Sequence, residues 1–87
     1  MSHYPAVARH LDRLRRVHEL IKYKRTGDPA TLARRLDLSQ SACYSLLREL
    51  KLMGAPVHYN KVRGSYEYQT PVELMLGFYP PSQSQPS

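Results

Sequence analysis

Residues 28–54, D-P-A-T-L-A-R-R-L-D-L-S-Q-S-A-C-Y-S-L-L-R-E-L-K-L-M-G, leave little freedom in how the chain folds. Asp28 is suited to cap a helix and Pro29 to its first position, with Leu32, Ala33 and Leu36 facing inward and Arg34 and Arg35 outward. Asp37 and Leu38 interrupt the period as a tight turn. Ser39 is the N-cap of the next helix, on which Cys43, Leu46, Leu47 and Leu50 share one face and Gln40, Ser41, Tyr44, Ser45 and Arg48 the opposite one. Gly54 followed by Pro56 stops it. Helices joined by so short a corner cross at close range, which needs small and apolar groups there. Ala33, Leu38 and Cys43, five residues apart, supply a small group, a plug at the corner and a core contact beyond it.

A longer helix is expected before this pair, from near Pro5 to Gly27. Val7, Leu11, Leu14, Val17, Leu20 and Ile21 step by three and four residues, which makes one buried stripe, with His18 packed on its inner side. Arg9, Arg13, Arg15, Arg16, Lys22, Lys24 and Arg25 fill the rest of the circumference. After the pair come V-H-Y-N, K-V-R-G and S-Y-E-Y-Q, two alternating stretches around a glycine-containing loop, which read as a hairpin with Val57, Tyr59, Tyr66 and Tyr68 towards the helices. Val72, Leu74, Leu76 and Phe78 fit a third strand, whereas T-P-V-E at residues 70–73 has the form of a helix start with a capping box; the reading leans to strand. The expectation is a mainly α fold with a small β part: a three-helix winged helix-turn-helix domain over residues 1–79 and a disordered tail, P-P-S-Q-S-Q-P-S, over 80–87.

A chain of 87 residues makes one domain with a thin core. At this size only about 60–65 % of the unfolded surface is buried, so a deep substrate pocket is hard to build. Thirteen Lys and Arg against seven Asp and Glu give a net charge of +6, which suits a polyanion. Cys43 is the only cysteine, so an intrachain disulfide is impossible and a reducing compartment is expected. No run approaches the roughly 20 apolar residues that span a bilayer, and no secretory leader is seen. The expected location is cytoplasmic and nucleoid-associated, without a membrane partner.

The segments L-A-R-R-L-D-L-S, A-C-Y-S-L-L-R-E-L, G-A-P-V-H-Y-N and Y-E-Y resemble the winged helix-turn-helix domain of bacterial regulators of the DeoR and WYL type, above all small stand-alone versions with a tyrosine-rich wing. The resemblance covers roughly residues 11–78. It implies that the exposed face of the third helix enters the major groove of double-stranded DNA and that the hairpin meets phosphate or the minor groove. Carried over, Gln40, Ser41, Tyr44 and Ser45 face DNA, and Arg48, Lys61 and Arg63 anchor phosphates. Gln40 can pair with adenine, and the Tyr44 hydroxyl positions rather than specifies. The chain departs from the family in two places. Asp37 stands where glycine is common in the turn, and Gln40, Ser41 and Ser45 stand where arginines are common. Sequence-specific DNA binding in transcriptional regulation is the expected function. A module this small is expected to pair as a homodimer, with residues 72–78 as the pairing surface. The alternative is a winged-helix protein-interaction module.

Charge is unevenly placed. Residues 28–54 carry four cations against three carboxylates, while residues 9–25 carry seven against two. Affinity for a duplex follows the phosphates neutralised, so the N-terminal half of the first helix matters: Arg9 and Arg13 help if it flanks the groove and are merely solvated if it points away. Other residues read plainly. Cys43 lies on the apolar face, as a buried inert thiol does. His3, His10, His18 and His58 lack metal-ligand spacing. Asp12 and Glu19, amid arginines, read as ion pairs rather than a catalytic carboxylate pair. No enzyme activity, metal, cofactor or small-molecule substrate is expected.

Overall fold

The computed structural model describes residues 6–76. Pro5, Phe78 and the segment from Pro80, on which the expected helix start, the end of the third strand and the disordered tail fall, lie outside those residues. The elements run α1 (Ala6–Lys22), α2 (Pro29–Arg35), α3 (Gln40–Leu52), β1 (Val57–Asn60) and β2 (Ser65–Tyr68). Three helices followed by an antiparallel hairpin give a mainly helical fold with the layout of a winged helix. No helix among the described residues is long and apolar enough to cross a membrane.

Capping begins the short helices. Asp28 accepts from Thr31 N–H at 2.8 Å and Ser39 from Ala42 N–H at 3.1 Å. All three helices end in the same paired backbone bonds, from the residue after the cap and its successor back into the last turn. The residue that turns left-handed is Lys24 after α1, Asp37 after α2 and Gly54 after α3, at φ 57°, 58° and 102°. Asp37 thus fills the place of a turn glycine. The first helix stops at Lys22, not at Gly27 as the glycine suggested. Beyond Ile21 the positions that would continue the stripe are Lys24 and Arg25, so nothing apolar rewards a further turn.

Leu14, Val17 and Ile21 from α1 meet Leu32, Ala33 and Leu36, then Cys43, Leu46, Leu47 and Leu50, with Val57 closing the core from the hairpin. Leu38 packs against it from the corner, as the crossing requires. In the hairpin Val57 faces Tyr68, His58 faces Glu67, Tyr59 faces Tyr66 and Asn60 faces Ser65. Simple alternation sent Ser65 outward with Glu67, yet it is buried. Its hydroxyl sits 3.0 Å from that of Thr26, also buried, in the α1–α2 connection. Tyr66 N–H donates to Thr26 Oγ1 at 2.8 Å and Thr26 N–H to Ser65 Oγ at 3.3 Å, so side-chain hydroxyls tie this connection to β2 where a third strand would use backbone.

The expected third strand is absent over residues 71–76, and so is the alternative helix. Burial does alternate there, with Val72, Leu74 and Leu76 half-buried and Glu73 and Met75 exposed. The period-two pattern is real, but the sheet has two strands and this segment pairs with neither. Glu73 instead holds it to α1, accepting from Lys22 Nζ at 2.9 Å and lying 3.7 Å from His18 Nε2.

Candidate nucleic-acid interface

Four leucine-face residues pin α3 from behind, each no more than 5 % exposed: Cys43, Leu46, Leu47 and Leu50. Its other face is open. Gln40, Ser41, Tyr44, Ser45 and Arg48 are all exposed and lie on successive turns of one side. The structure therefore brings these five together as one surface. Lys61 and Arg63 stand apart from them at the hairpin tip and are exposed as well. Asn60 shapes that tip: its side-chain oxygen accepts from Arg63 N–H at 3.0 Å, and Gly64 N–H returns to its carbonyl at 2.7 Å.

The two wing cations are not equivalent. Arg63 Nε is 3.5 Å from Glu67 Oε1, so part of its charge is already answered. Glu67 also accepts from Asn60 Nδ2 at 3.1 Å and lies 3.0 Å from His58 Nε2. The Asn60 hydrogen bond, followed by the charges of His58, Lys24 and Arg63, holds its carboxyl below the ordinary range. Sequence reasoning missed this acid, although its pairing with His58 follows once the hairpin register is set.

Tyrosines fill the crease between α3 and the wing. The rings of Tyr59 and Tyr66 meet edge-on with centroids 4.9 Å apart. Burial, with Tyr44, Cys43 and Tyr59 adding to it, pushes the Tyr66 hydroxyl above its usual value. Tyr44 itself is 47 % exposed, its phenol at the edge of the free face. Tyr68 is half-buried against the core on the α1 side: its hydroxyl is 2.7 Å from Nδ1 of the buried His18, and burial above all, then Glu73, pushes it up to about 12.

Two ion pairs of α1 face different surroundings. His10 Nε2 lies 3.0 and 2.8 Å from the two carboxylate oxygens of Glu49, joining the start of α1 to α3. Asp12 pairs with Arg15 at 3.3 Å, as an acid amid arginines would. The His10–Glu49 pair, 39 residues apart, left no sequence signal. Cys43 is buried, and burial raises its thiol, which fits an inert core position. Among the described residues no three His, Cys, Asp or Glu side chains gather in a way that would hold a metal ion. Comparisons with protein families, with curated proteins and with solved structures gave no match for this chain.

Proposed function

We propose that the chain binds double-stranded DNA and acts as a transcriptional regulator, with α3 in the major groove and the hairpin beside it. The observation that carries this reading is the open polar face of α3, Gln40, Ser41, Tyr44, Ser45 and Arg48, backed by buried leucines and flanked by an exposed basic hairpin tip. A helix held in that way fits the major groove, where Gln40 meets adenine edges and Arg48, Lys61 and Arg63 meet phosphates. The net charge of +6 supports the choice of a polyanion. In this reading the protein is cytoplasmic and nucleoid-associated, works without cofactor or metal, and performs no chemistry. One module covers a short site, so two copies act on half-sites about one helical turn apart. Their contact runs through the apolar stretch 72–78, in whose described part Met75 is 62 % exposed.

Selection of bound sequences from random duplexes tests the reading, followed by binding across a salt series. Affinity falls steeply with salt if phosphates are contacted. Arg63→Ala weakens all duplexes alike, and Gln40→Ala relaxes preference at one base position. Failure to enrich any duplex, together with salt-insensitive retention, would sink the proposal. Sedimentation as a monomer, with and without DNA, would remove the pairing.

A second reading, a protein-interaction module, is favoured by one observation: the open face of α3 carries few cations, Arg48 and Lys51 towards its C-terminal end, and a half-exposed tyrosine. A protein surface centred on Tyr44 would hold its partner with little regard to salt.

A further inference from the structure

We infer that the depression between the start of α1 and the open face of α3 seats one phosphodiester strand of the duplex, with Arg13 and Ser45 holding a phosphate and His10 masking Glu49. This rests on the DNA-binding reading and assigns Ser45 to the backbone rather than to base edges. The depression encloses about 310 Å³. Exposed Arg13 and Ser45 border it from the two helices, His10 and Glu49 lie between them, and Leu38 and the buried Leu46 back it.

Placement answers the charge problem. The excess cations sit on α1, and α3 has only Arg48 and Lys51, both exposed towards its C-terminal end. The His10–Glu49 contact shows that the N-terminal half of α1 runs beside that face instead of pointing away. Arg13, one turn along from Arg9, is thereby brought to the surface that the groove would meet. Arg15 and Arg16 border a different depression with Asp12 and Glu19, and Arg15 is spoken for by Asp12. A guanidinium and a hydroxyl on opposite sides of a shallow groove are the usual donors to a phosphate, and such contacts fix register without reading sequence.

Glu49 is the one acid on this rim. Its side chain is 41 % exposed, so a bare carboxylate there would repel the strand. His10 covers both of its oxygens. The ring therefore shields the carboxylate oxygens from the strand as well as clamping the two helices together.

Anisotropy of a labelled mixed-sequence duplex, measured across a salt series with melting curves to confirm folding, tests this. Arg13→Gln should weaken binding about tenfold at low salt and flatten the salt slope by about one phosphate. His10→Ala should weaken binding too, and adding Glu49→Gln in that background should restore it. A clamp alone predicts that the double variant stays as weak as the single one. Unchanged affinity or slope in Arg13→Gln, while Arg63→Ala and Gln40→Ala still act, overturns this placement and leaves the DNA reading standing. A wild-type chain that ignores the duplex at every salt concentration overturns both.

Discussion

Lys24 holds φ at 57°, a left-handed conformation that costs a side chain roughly 1 kcal/mol over glycine. Three residues later Gly27 sits at φ 73°, where an added Cβ would come within 2.8 Å of the Thr31 methyl. The chain thus places its glycine at the tighter position and leaves lysine to end α1. Lys24→Gly should stabilise the fold by about 0.5–1 kcal/mol, a rise of a few degrees in melting temperature. Gly27→Ala should do the reverse, by about 1–2 kcal/mol, since both the backbone and Thr31 oppose it. The end of α1 was hard to read for this reason: a glycine advertised the stop, while the true signal was the lack of an apolar residue after Ile21. Asp37 and Gly54 were legible because their neighbours, Leu38 and Pro56, mark a corner and a stop on their own. Tyr68 adds a second test at this scale. Tyr68→Phe keeps the ring against His18 and removes the hydroxyl, leaving Nδ1 of a buried histidine without its partner. Urea denaturation should show a loss of about 1–3 kcal/mol.

At the scale of elements, periodicity found the three helices, the hairpin and the open face of α3, because each buries one side and exposes the other. It failed where an element is held by polar groups. Thr26 and Ser65 are fully or almost fully buried, yet a threonine in a loop and a serine off the apolar register carry no burial signal. Their bond replaces a strand pairing, and only the folded chain brings residues 39 positions apart together. Thr26→Val should cost about 1–3 kcal/mol, because Tyr66 N–H then loses its acceptor in a place that water reaches poorly. Ser65→Ala should cost a similar amount: Thr26 Oγ1 keeps Tyr66 N–H and the Gly27 carbonyl, but the buried Thr26 N–H then loses Ser65 Oγ as its acceptor. The two changes should be non-additive by about 0.5 kcal/mol or more in a double-mutant cycle, and additivity would mean that the hydroxyl pair contributes nothing as a pair. The segment after β2 shows the opposite failure. Alternation there was genuine, but alternation predicts a strand only where a neighbour offers backbone groups, and β1 and β2 pair only with each other.

Across the whole molecule, carboxylates fasten helix starts, the hairpin and the last described segment at the edges of the thin core. Asp28 caps α2, Glu67 gathers the wing, and Glu73 ties residues 71–76 to α1. Each is held below its ordinary value: Asp28 by the Thr31 hydrogen bonds, Glu67 first by Asn60, Glu73 first by the Lys22 hydrogen bond. A carboxylate whose folded pKa lies below its unfolded one stabilises the fold above the unfolded value and gives that up as pH falls through the folded value. The unfolded values are 3.8 for aspartate and 4.5 for glutamate. The melting temperature should therefore be nearly level from neutral pH down to about 5 and drop below about 4.5. Tyr68 limits the alkaline side: its folded value of about 12 lies above the ordinary 10.0, so stability present below pH 10 is lost as pH rises towards 12. Calorimetry across pH checks both limbs. Glu73→Gln should shallow the acid limb and raise amide exchange in residues 72–76 while leaving exchange in α3 unchanged. If exchange in that segment stays at its wild-type rate, Glu73 does not fasten it. If the acid limb keeps its full slope, the other carboxylates govern acid stability, and the bond to Lys22 is a surface contact without consequence.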